Sequence, residues 1–325
     1  MTGAFRQLLE TRDWLLADGA VGTNLFRMGL EAGEAPELWN VTEPGRVRAL
    51  HEGWVGAGCD IFLTNSFGAN ASRLARHDAE GRVSELNRTA AGIAREVADA
   101  AGRPVAVGGS IGPTGEVVGP GGPLDPSAAQ AMFEEQARGL REGGADLLWI
   151  ETFSAPAEFE AAVRAAVSVG LPWCGTMSFD TNERTMGGLD VAGFAALVAA
   201  LPAPPLAFGA NCGVGASDLV RSLVGLAGAA PGAALIAKAN AGVPKFVSGR
   251  IVYDGTPELM ARYAVLARDA GARVIGGCCG STPAHLGAMR VALEKRPRGP
   301  RPDLATITGA LGPLSPADTD PGVGS

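Results

Sequence analysis

Short, nearly continuous apolar runs alternate along this chain with longer stretches in which apolar residues recur at helical spacing. The apolar runs predict strands at 15–19, 61–66, 104–110, 147–152, 173–179, 206–212, 234–240 and 273–279. Unbroken rather than alternating hydrophobicity marks strands covered on both faces, as in parallel sheets. The Ala-, Leu- and Arg-rich stretches between them, such as 126–144 and 156–170, read as helices that stop near glycine. This succession of β-α units predicts a (β/α)8 TIM barrel over residues 1–296. The competing arrangement, an open doubly wound sheet, usually carries a Gly-rich dinucleotide turn after its first strand. Here that turn reads Asp18-Gly19-Ala20-Val21-Gly22-Thr23-Asn24, which does not fit. Residues 297–325 are rich in Pro, Gly and small polar residues without periodicity. They are expected to be mostly disordered, around a short packed segment at most.

A barrel keeps its chemistry at the carboxyl ends of its strands. The predicted ends carry Asp18-Gly19, Thr64-Asn65-Ser66-Phe67, Ser110, Glu151-Thr152, Asn211-Cys212, Lys238 and Cys278-Cys279. Adjacent cysteines rarely pair with each other, because the bond strains the backbone. Cys212 can approach Cys278 and Cys279 across a small barrel mouth. Neighbours on a regular strand face opposite ways, so both thiols reach one ion only if the backbone bends. Gly276, Gly277 and Gly280 permit that bend. Three thiolates leave a tetrahedral Zn2+ one ligand short, as in a catalytic site. Such a centre is over-neutralised, so it splits water poorly and suits a fourth thiolate kept nucleophilic. That points to alkyl transfer onto a substrate thiol. Cys59 and Cys174, on a helix end and in a strand interior, read as packing residues.

Asp18 and Glu151 are candidates for holding a substrate ammonium group, with capping of nearby backbone N–H groups as the alternative for each. Backbone N–H groups of residues 19–23, with Thr64 or Asn65, can hold a carboxylate. The loop 112–122 is Gly-rich but lacks the Gly-Lys-Ser/Thr of a phosphate loop, so it reads as a cover or a turn. His51, His77 and His285 fall on predicted helices. Hydrolase readings built on Ser/His or Cys/His therefore lose their general base.

Composition narrows the classes further. A chain 46% hydrophobic and 19% charged supports a large core and excludes wholesale disorder. A net charge of -7 gives nucleic acid no basic footprint. No apolar h-region follows the amino terminus, and no apolar run is long enough for a membrane span. With five cysteines in no disulfide-like spacing, the reducing cytoplasm is the expected compartment. The sequence leaves open assembly into a homo-oligomer.

The strand-end motifs together resemble the zinc-dependent homocysteine S-methyltransferase family. The resemblance covers residues 12–295. It rests on Gly276-Gly277-Cys278-Cys279-Gly280-Ser281-Thr282-Pro283 and Gly209-Ala210-Asn211-Cys212, with support from Asp18-Gly19-Ala20-Val21-Gly22-Thr23, Leu63-Thr64-Asn65-Ser66-Phe67, Gly112-Pro113-Thr114-Gly115 and Ile150-Glu151-Thr152. It implies a barrel in which Cys212, Cys278 and Cys279 bind Zn2+, and Asp18, Gly19, Thr64 and Glu151 hold homocysteine. It also implies a cationic methyl donor. The stretches 30–40, 209–218 and 255–260 look most like bacterial single-domain enzymes assigned to betaine. A quaternary ammonium wants aromatic faces, worth ~0.5–2 kcal/mol per ring, and Trp39 and Phe67 are the candidates. Two tyrosine positions of the animal betaine enzymes are Gly68 and Thr152 here. A sulfonium (S-methylmethionine or dimethylsulfoniopropionate) carries the same charge, and a methyl-corrinoid protein is a further donor class. A zinc- or thiol-sensing protein on the same barrel is the reading of another class.

Overall fold

Each of the eight apolar runs forms a strand in the computed structural model, which describes residues 3–247 and 250–316. The strands are β1 (Leu15–Leu16), β2 (Ile61–Leu63), β3 (Ala106–Ile111), β4 (Leu147–Phe153), β5 (Trp173–Met177), β6 (Ala207–Cys212) and β7 (Leu235–Ala239). A short hairpin, β8 (Lys245–Val247) and β9 (Arg250–Val252), precedes the last barrel strand, β10 (Ala272–Gly277). The barrel strands pair in parallel in the order β1-β10-β7-β6-β5-β4-β3-β2.

Closure falls to β1 and β2, and β1 is only two residues long. A parallel bridge between Ala17 and Ile61 joins them. Two carboxylates replace missing backbone acceptors along this seam. Leu16 N donates to Asp60 Oδ2 at 2.9 Å, and Leu63 N donates to Asp18 Oδ2 at 2.9 Å. Asp60 also pairs with Arg12 and Arg290 at the amino end of the barrel. The result is a closed (β/α)8 barrel with helices such as Val83–Asp99, Pro126–Glu142 and Pro156–Val169 around it.

The core has two layers. Leu15, Ile61, Leu147, Trp149, Ile236 and Val274 fill the barrel interior. Helix Ala4–Thr11 plugs the lower end by setting Phe5 edge-on to Trp149, with ring centroids 6.5 Å apart. A larger layer between strands and helices includes the edge-packed Phe159, Phe194 and Phe208. Burying each such ring contributes roughly 1.5–3 kcal/mol.

Three features depart from the sequence-based expectation. The last strand stops at Gly277 instead of running through Cys279. The connection after β7 contains the hairpin, whose strands are too short to leave a periodic signal. Residues 297–316 follow the barrel wall rather than standing free. Asp303 caps a helix, Leu304–Leu311, that buries Ile307. Arg262 Nε donates to Ala310 O at 3.0 Å, and Ser217 Oγ donates to Gly312 O at 2.8 Å. An eight-residue helix is too brief for its period to stand out in a Pro/Gly-rich stretch. The end of the expected tail, 317–325, lies outside the described residues. Among the described residues, no helix is long and apolar enough to cross a membrane.

Candidate active site

β6 and the turn after β10 bring the three strand-end cysteines together. Their sulfurs all lie within 4.8 Å of one another, with Cys212 Sγ 3.9 Å from Cys279 Sγ. Three sulfurs bound at ~2.3 Å to one tetrahedral ion would sit about 3.8 Å apart, so this donor set fits a thiolate-preferring metal such as Zn2+. The bend that two adjacent ligands require is present. Cys278 N still donates to Ala239 O of β7 at 2.6 Å, but Ser281 N turns back onto Cys278 O at 3.0 Å. Gly280 takes φ +80, and a Cβ there would collide with the Tyr253 side chain. Glycine is therefore required at the point where Cys279 swings inward.

Backbone strain accumulates around the same centre. Cys212 and Thr152 are left-handed, at φ 61 and φ 66. Such residues cost of order 1 kcal/mol each and persist where neighbours over-determine them. Here the neighbour is Asn211. Its Oδ1 accepts from Thr152 N at 2.9 Å and Thr176 Oγ1 at 2.8 Å, while its Nδ2 donates to Thr152 Oγ1 at 2.7 Å and faces Cys278 Sγ at 3.8 Å. Within the cluster, hydrogen bonds from Cys212 and Cys278 pull the Cys279 thiol down to about 3, and Tyr253 adds another. Donating to Cys278 and Cys279, in a buried setting, pushes Cys212 up. One thiol thus ionises readily, and a cation is needed to ionise the rest.

The thiols open onto a cavity of about 290 Å3. Gly19, Thr64, Asn65, Phe67 and Glu151, candidates from the sequence, line it. So do Phe26, Glu37, Ser110 and Lys238, which that reading did not select as site residues. Gly19 is needed for space, since a Cβ would sit 2.9 Å from the Trp54 ring and 3.0 Å from Ser281 O. Thr64 Oγ1 accepts from Ser110 N at 3.0 Å and lies 2.6 Å from Ser66 Oγ, so it braces β2 against β3. Glu151 Oε1 accepts from Ser110 Oγ at 2.6 Å. Burial pushes its carboxyl up to about 7, against the opposing pull of Lys238.

Asp18, expected to take a substrate ammonium, has both oxygens engaged. Oδ2 accepts from Leu63 N, and Oδ1 pairs with Lys238 Nζ at 2.6 Å. It is fully buried and is not among the residues lining the cavity, although Gly19, Leu63 and Lys238 beside it are. Burial works against the Lys238 ammonium, but Asp18 and then Glu151 outweigh it and push its pKa up.

At the outer end, Asn65 spends its amide on the neighbouring loop, donating to Pro36 O at 2.7 Å and Asn40 Oδ1 at 3.1 Å. It shapes the wall rather than offering a free hydrogen-bond donor. Trp39 does not reach the cavity. Its ring is buried in the short helix Trp39–Thr42, with the Arg46 guanidinium 4.9 Å from the ring centroid. Phe67 does line the cavity, with Arg73 5.4 Å from its centroid, and half-exposed Phe26 joins it there. Cys59 and Cys174 are buried packing residues. The loop 112–122 is a pinned turn, with Thr114 N and Oγ1 donating to Glu158 Oε1 at 2.7 and 2.6 Å. His285 locks the hairpin connection to the Cys278-Cys279 turn, since its Nε2 meets Gly255 O at 2.8 Å and its Nδ1 meets Thr282 Oγ1 at 2.7 Å.

Comparison with known proteins agrees with this geometry. The chain is similar to the homocysteine methyltransferase MmuM from Escherichia coli in its metallated form, with a TM-score of 0.75, 26% identity, and coverage of 89% of this chain and 99% of that one. It is 32% identical to the methionine synthase of Mycobacterium tuberculosis over 91% of its own length, and it spans 27% of that relative's length. A methyltransferase from Methanosarcina mazei shares the fold, with a TM-score of 0.53 at 13% identity, covering 90% of this chain and 97% of that one. Residues 15–293 match the family described as homocysteine S-methyltransferase. The chain belongs to the homocysteine S-methyltransferase family.

Proposed function

We propose that this protein transfers a methyl group from a cationic small molecule, with betaine favoured, to the thiolate sulfur of L-homocysteine. The observation that carries the reading is the cluster of Cys212, Cys278 and Cys279 sulfurs, within 4.8 Å of one another, at the edge of an amino-acid-sized cavity. Cys212, Cys278 and Cys279 would hold Zn2+, which when bound supplies a positive charge that keeps the incoming thiol deprotonated at neutral pH. The chain's own groups do the rest. Asn211 and Gly280 fix the directions of the cysteine side chains. The charged cavity floor orients the amino-acid end, and Phe26 and Phe67 offer π faces to the donor's positive charge. The new bond forms between homocysteine sulfur and the methyl carbon. The bond from that carbon to the donor heteroatom breaks, and its electron pair leaves with a neutral amine or sulfide. Charge balances without a general acid, and among the described residues no histidine lines the cavity.

A second reading, in which the methyl group arrives on a separate corrinoid protein, draws support from the mouth. Val117, Met186, Val243 and Val252 stand 64%, 83%, 49% and 43% exposed in the connections after β3, β5 and β7, apolar side chains on the face where partners would approach the strand ends. Methionine formation is the test, with betaine, dimethylsulfoniopropionate, S-methylmethionine and a methyl-corrinoid protein offered separately to zinc-loaded protein. Turnover with free betaine carries the first reading. Turnover with the corrinoid protein alone carries the second, and no methionine from any donor defeats both. Binding of zinc and thiol without turnover would leave a sensor.

A further inference from the structure

We propose that Glu37 selects the methyl donor by its positive charge, so that a quaternary ammonium or a sulfonium binds in preference to a neutral head of the same shape; this rests on the cationic-donor reading above. Cysteines aside, the charged side chains lining the cavity are Glu151, Lys238 and, beside Phe67, Glu37. Lys238 is matched by Asp18 at 2.6 Å. Glu37 is 6% exposed, accepts from Gly68 N at 2.6 Å, and among the described residues has no ion pair. The nearest guanidinium, Arg73, is turned elsewhere: it lies 5.4 Å from the Phe67 centroid, and its Nε donates to Pro113 O at 2.6 Å. Burial pushes the Glu37 carboxyl up, against the pull of Gly68 N–H and Arg73. A buried carboxylate without a counter-charge is costly, and a bound cation would relieve that cost.

The fold holds this carboxylate in place. Pro36–Leu38 is a single helical turn tied to the loop after β2, because Asn65 Nδ2 donates to Pro36 O at 2.7 Å and Asn40 Nδ2 donates to Asn65 O at 2.8 Å. Gly68 leaves the room, since a Cβ there would sit 2.8 Å from Glu37 Oε1. The N–H that Glu37 accepts belongs to the residue after Phe67, so carboxylate and ring share one wall of the cavity. The rings alone screen a cation incompletely: Phe67 already has Arg73 beside it, and Phe26 is half-exposed. In a low-dielectric cavity, attraction falls only with the inverse of distance, so the carboxylate favours an onium centre without touching it. A neutral head of the same shape gains none of this attraction and still dehydrates the carboxylate.

The test compares two onium compounds with isosteres that carry carbon in place of the charged atom: betaine with tert-butylacetate, and dimethylsulfoniopropionate with isocaproate. Titration calorimetry on the zinc-loaded full chain, with methionine in place of the thiol substrate, gives the affinities. Wild type should bind at least one onium ~10-fold or more tighter than its isostere. Glu37→Gln keeps an acceptor for Gly68 N, so it should erase most of that preference and leave the isostere's affinity unchanged. Glu37→Asp keeps the charge and should keep most of the preference. An equal loss for both members of a pair in Glu37→Gln means that Glu37 only holds the loop at Gly68, and the proposal falls. It falls too if wild type prefers neither onium. With homocysteine supplied instead of methionine, a Glu37-dependent preference without methionine formation would defeat the methyl-transfer reading and leave this assignment standing. Methionine formed from the onium donors at unchanged donor KM in Glu37→Gln would do the reverse.

Discussion

Replacing Glu151 with Gln should make the protein more stable and less active, and both effects can be sized. Glu151 is 9% exposed, and burial raises its carboxyl from an ordinary 4.5 to about 7. A carboxyl raised in the folded state stabilises fully below its unfolded value and loses that contribution as pH climbs through the folded one. At about 1.4 kcal/mol per unit, the raised carboxyl costs the fold, relative to acid pH, roughly 3 kcal/mol at about pH 8 and roughly 1.4 kcal/mol at about pH 5.5, where the unfolded chain has already released its proton. Gln keeps an acceptor for Ser110 Oγ, now at 2.6 Å, without the charge. Urea unfolding of reduced, metal-free protein should therefore show Glu151→Gln gaining about 2 kcal/mol relative to wild type between pH 5.5 and 8. Over the same range kcat/KM for homocysteine should drop ~10- to 100-fold, the loss of a charge-assisted hydrogen bond to the substrate ammonium. The wild-type rise in kcat/KM through pH ~7, as Glu151 ionises, should also flatten. An equal stability offset at both pH values, or unchanged kcat/KM, would refute the reasoning.

Three other outcomes follow from the same geometry. His51 is buried against Phe62 with no partner for either ring nitrogen among the described residues, and burial lowers its pKa to about 3. Its neutral form favours folding above the ordinary pKa of 6.5, and that advantage is lost as pH falls, so His51→Phe should gain about 2 kcal/mol over wild type between about pH 6.5 and 5, read by urea unfolding. Gly280→Ala, at φ +80 and against Tyr253, should displace Cys279 and lower zinc stoichiometry in protein dialysed against a chelator; full retention would contradict the turn's role. Ile307→Ala should cost about 2–4 kcal/mol in thermal or urea unfolding while leaving KM for homocysteine unchanged, because Ile307 is buried in the carboxyl-terminal helix away from the cavity.

Most of the barrel was legible because its strands are buried on both faces, which leaves unbroken apolar runs such as those around Leu147 and Ile236. The cysteine cluster was legible because strand ends converge at a barrel mouth, so Cys212, Cys278 and Cys279 could be placed together by topology alone. What sequence could not give was pairing between side chains far apart in the chain. Asp18 and Glu151 look alike as acidic strand ends. Only the short β1, which leaves Leu63 N needing an acceptor, and the reach of Lys238 assign Asp18 to the structure. Lys238 stands out in sequence only as a charged strand end, with nothing local to show that it pairs with Asp18. Trp39 looked like a donor contact because loops after strands usually face the mouth, but its neighbour Arg46 lies over the ring and its own helix turns it inward. Phe26 was overlooked because the stretch Val21–Arg27 reads as one more helix, and nothing local shows that it lies across the cavity.

The central claim is that the homocysteine sulfur completes the three-cysteine site. X-ray absorption at the zinc edge, on reduced zinc-loaded protein with and without homocysteine, tests it most directly. Three sulfurs and one lighter ligand without substrate, becoming four sulfurs at ~2.3 Å with it, is the expected result. A first shell that homocysteine leaves unchanged would contradict the account.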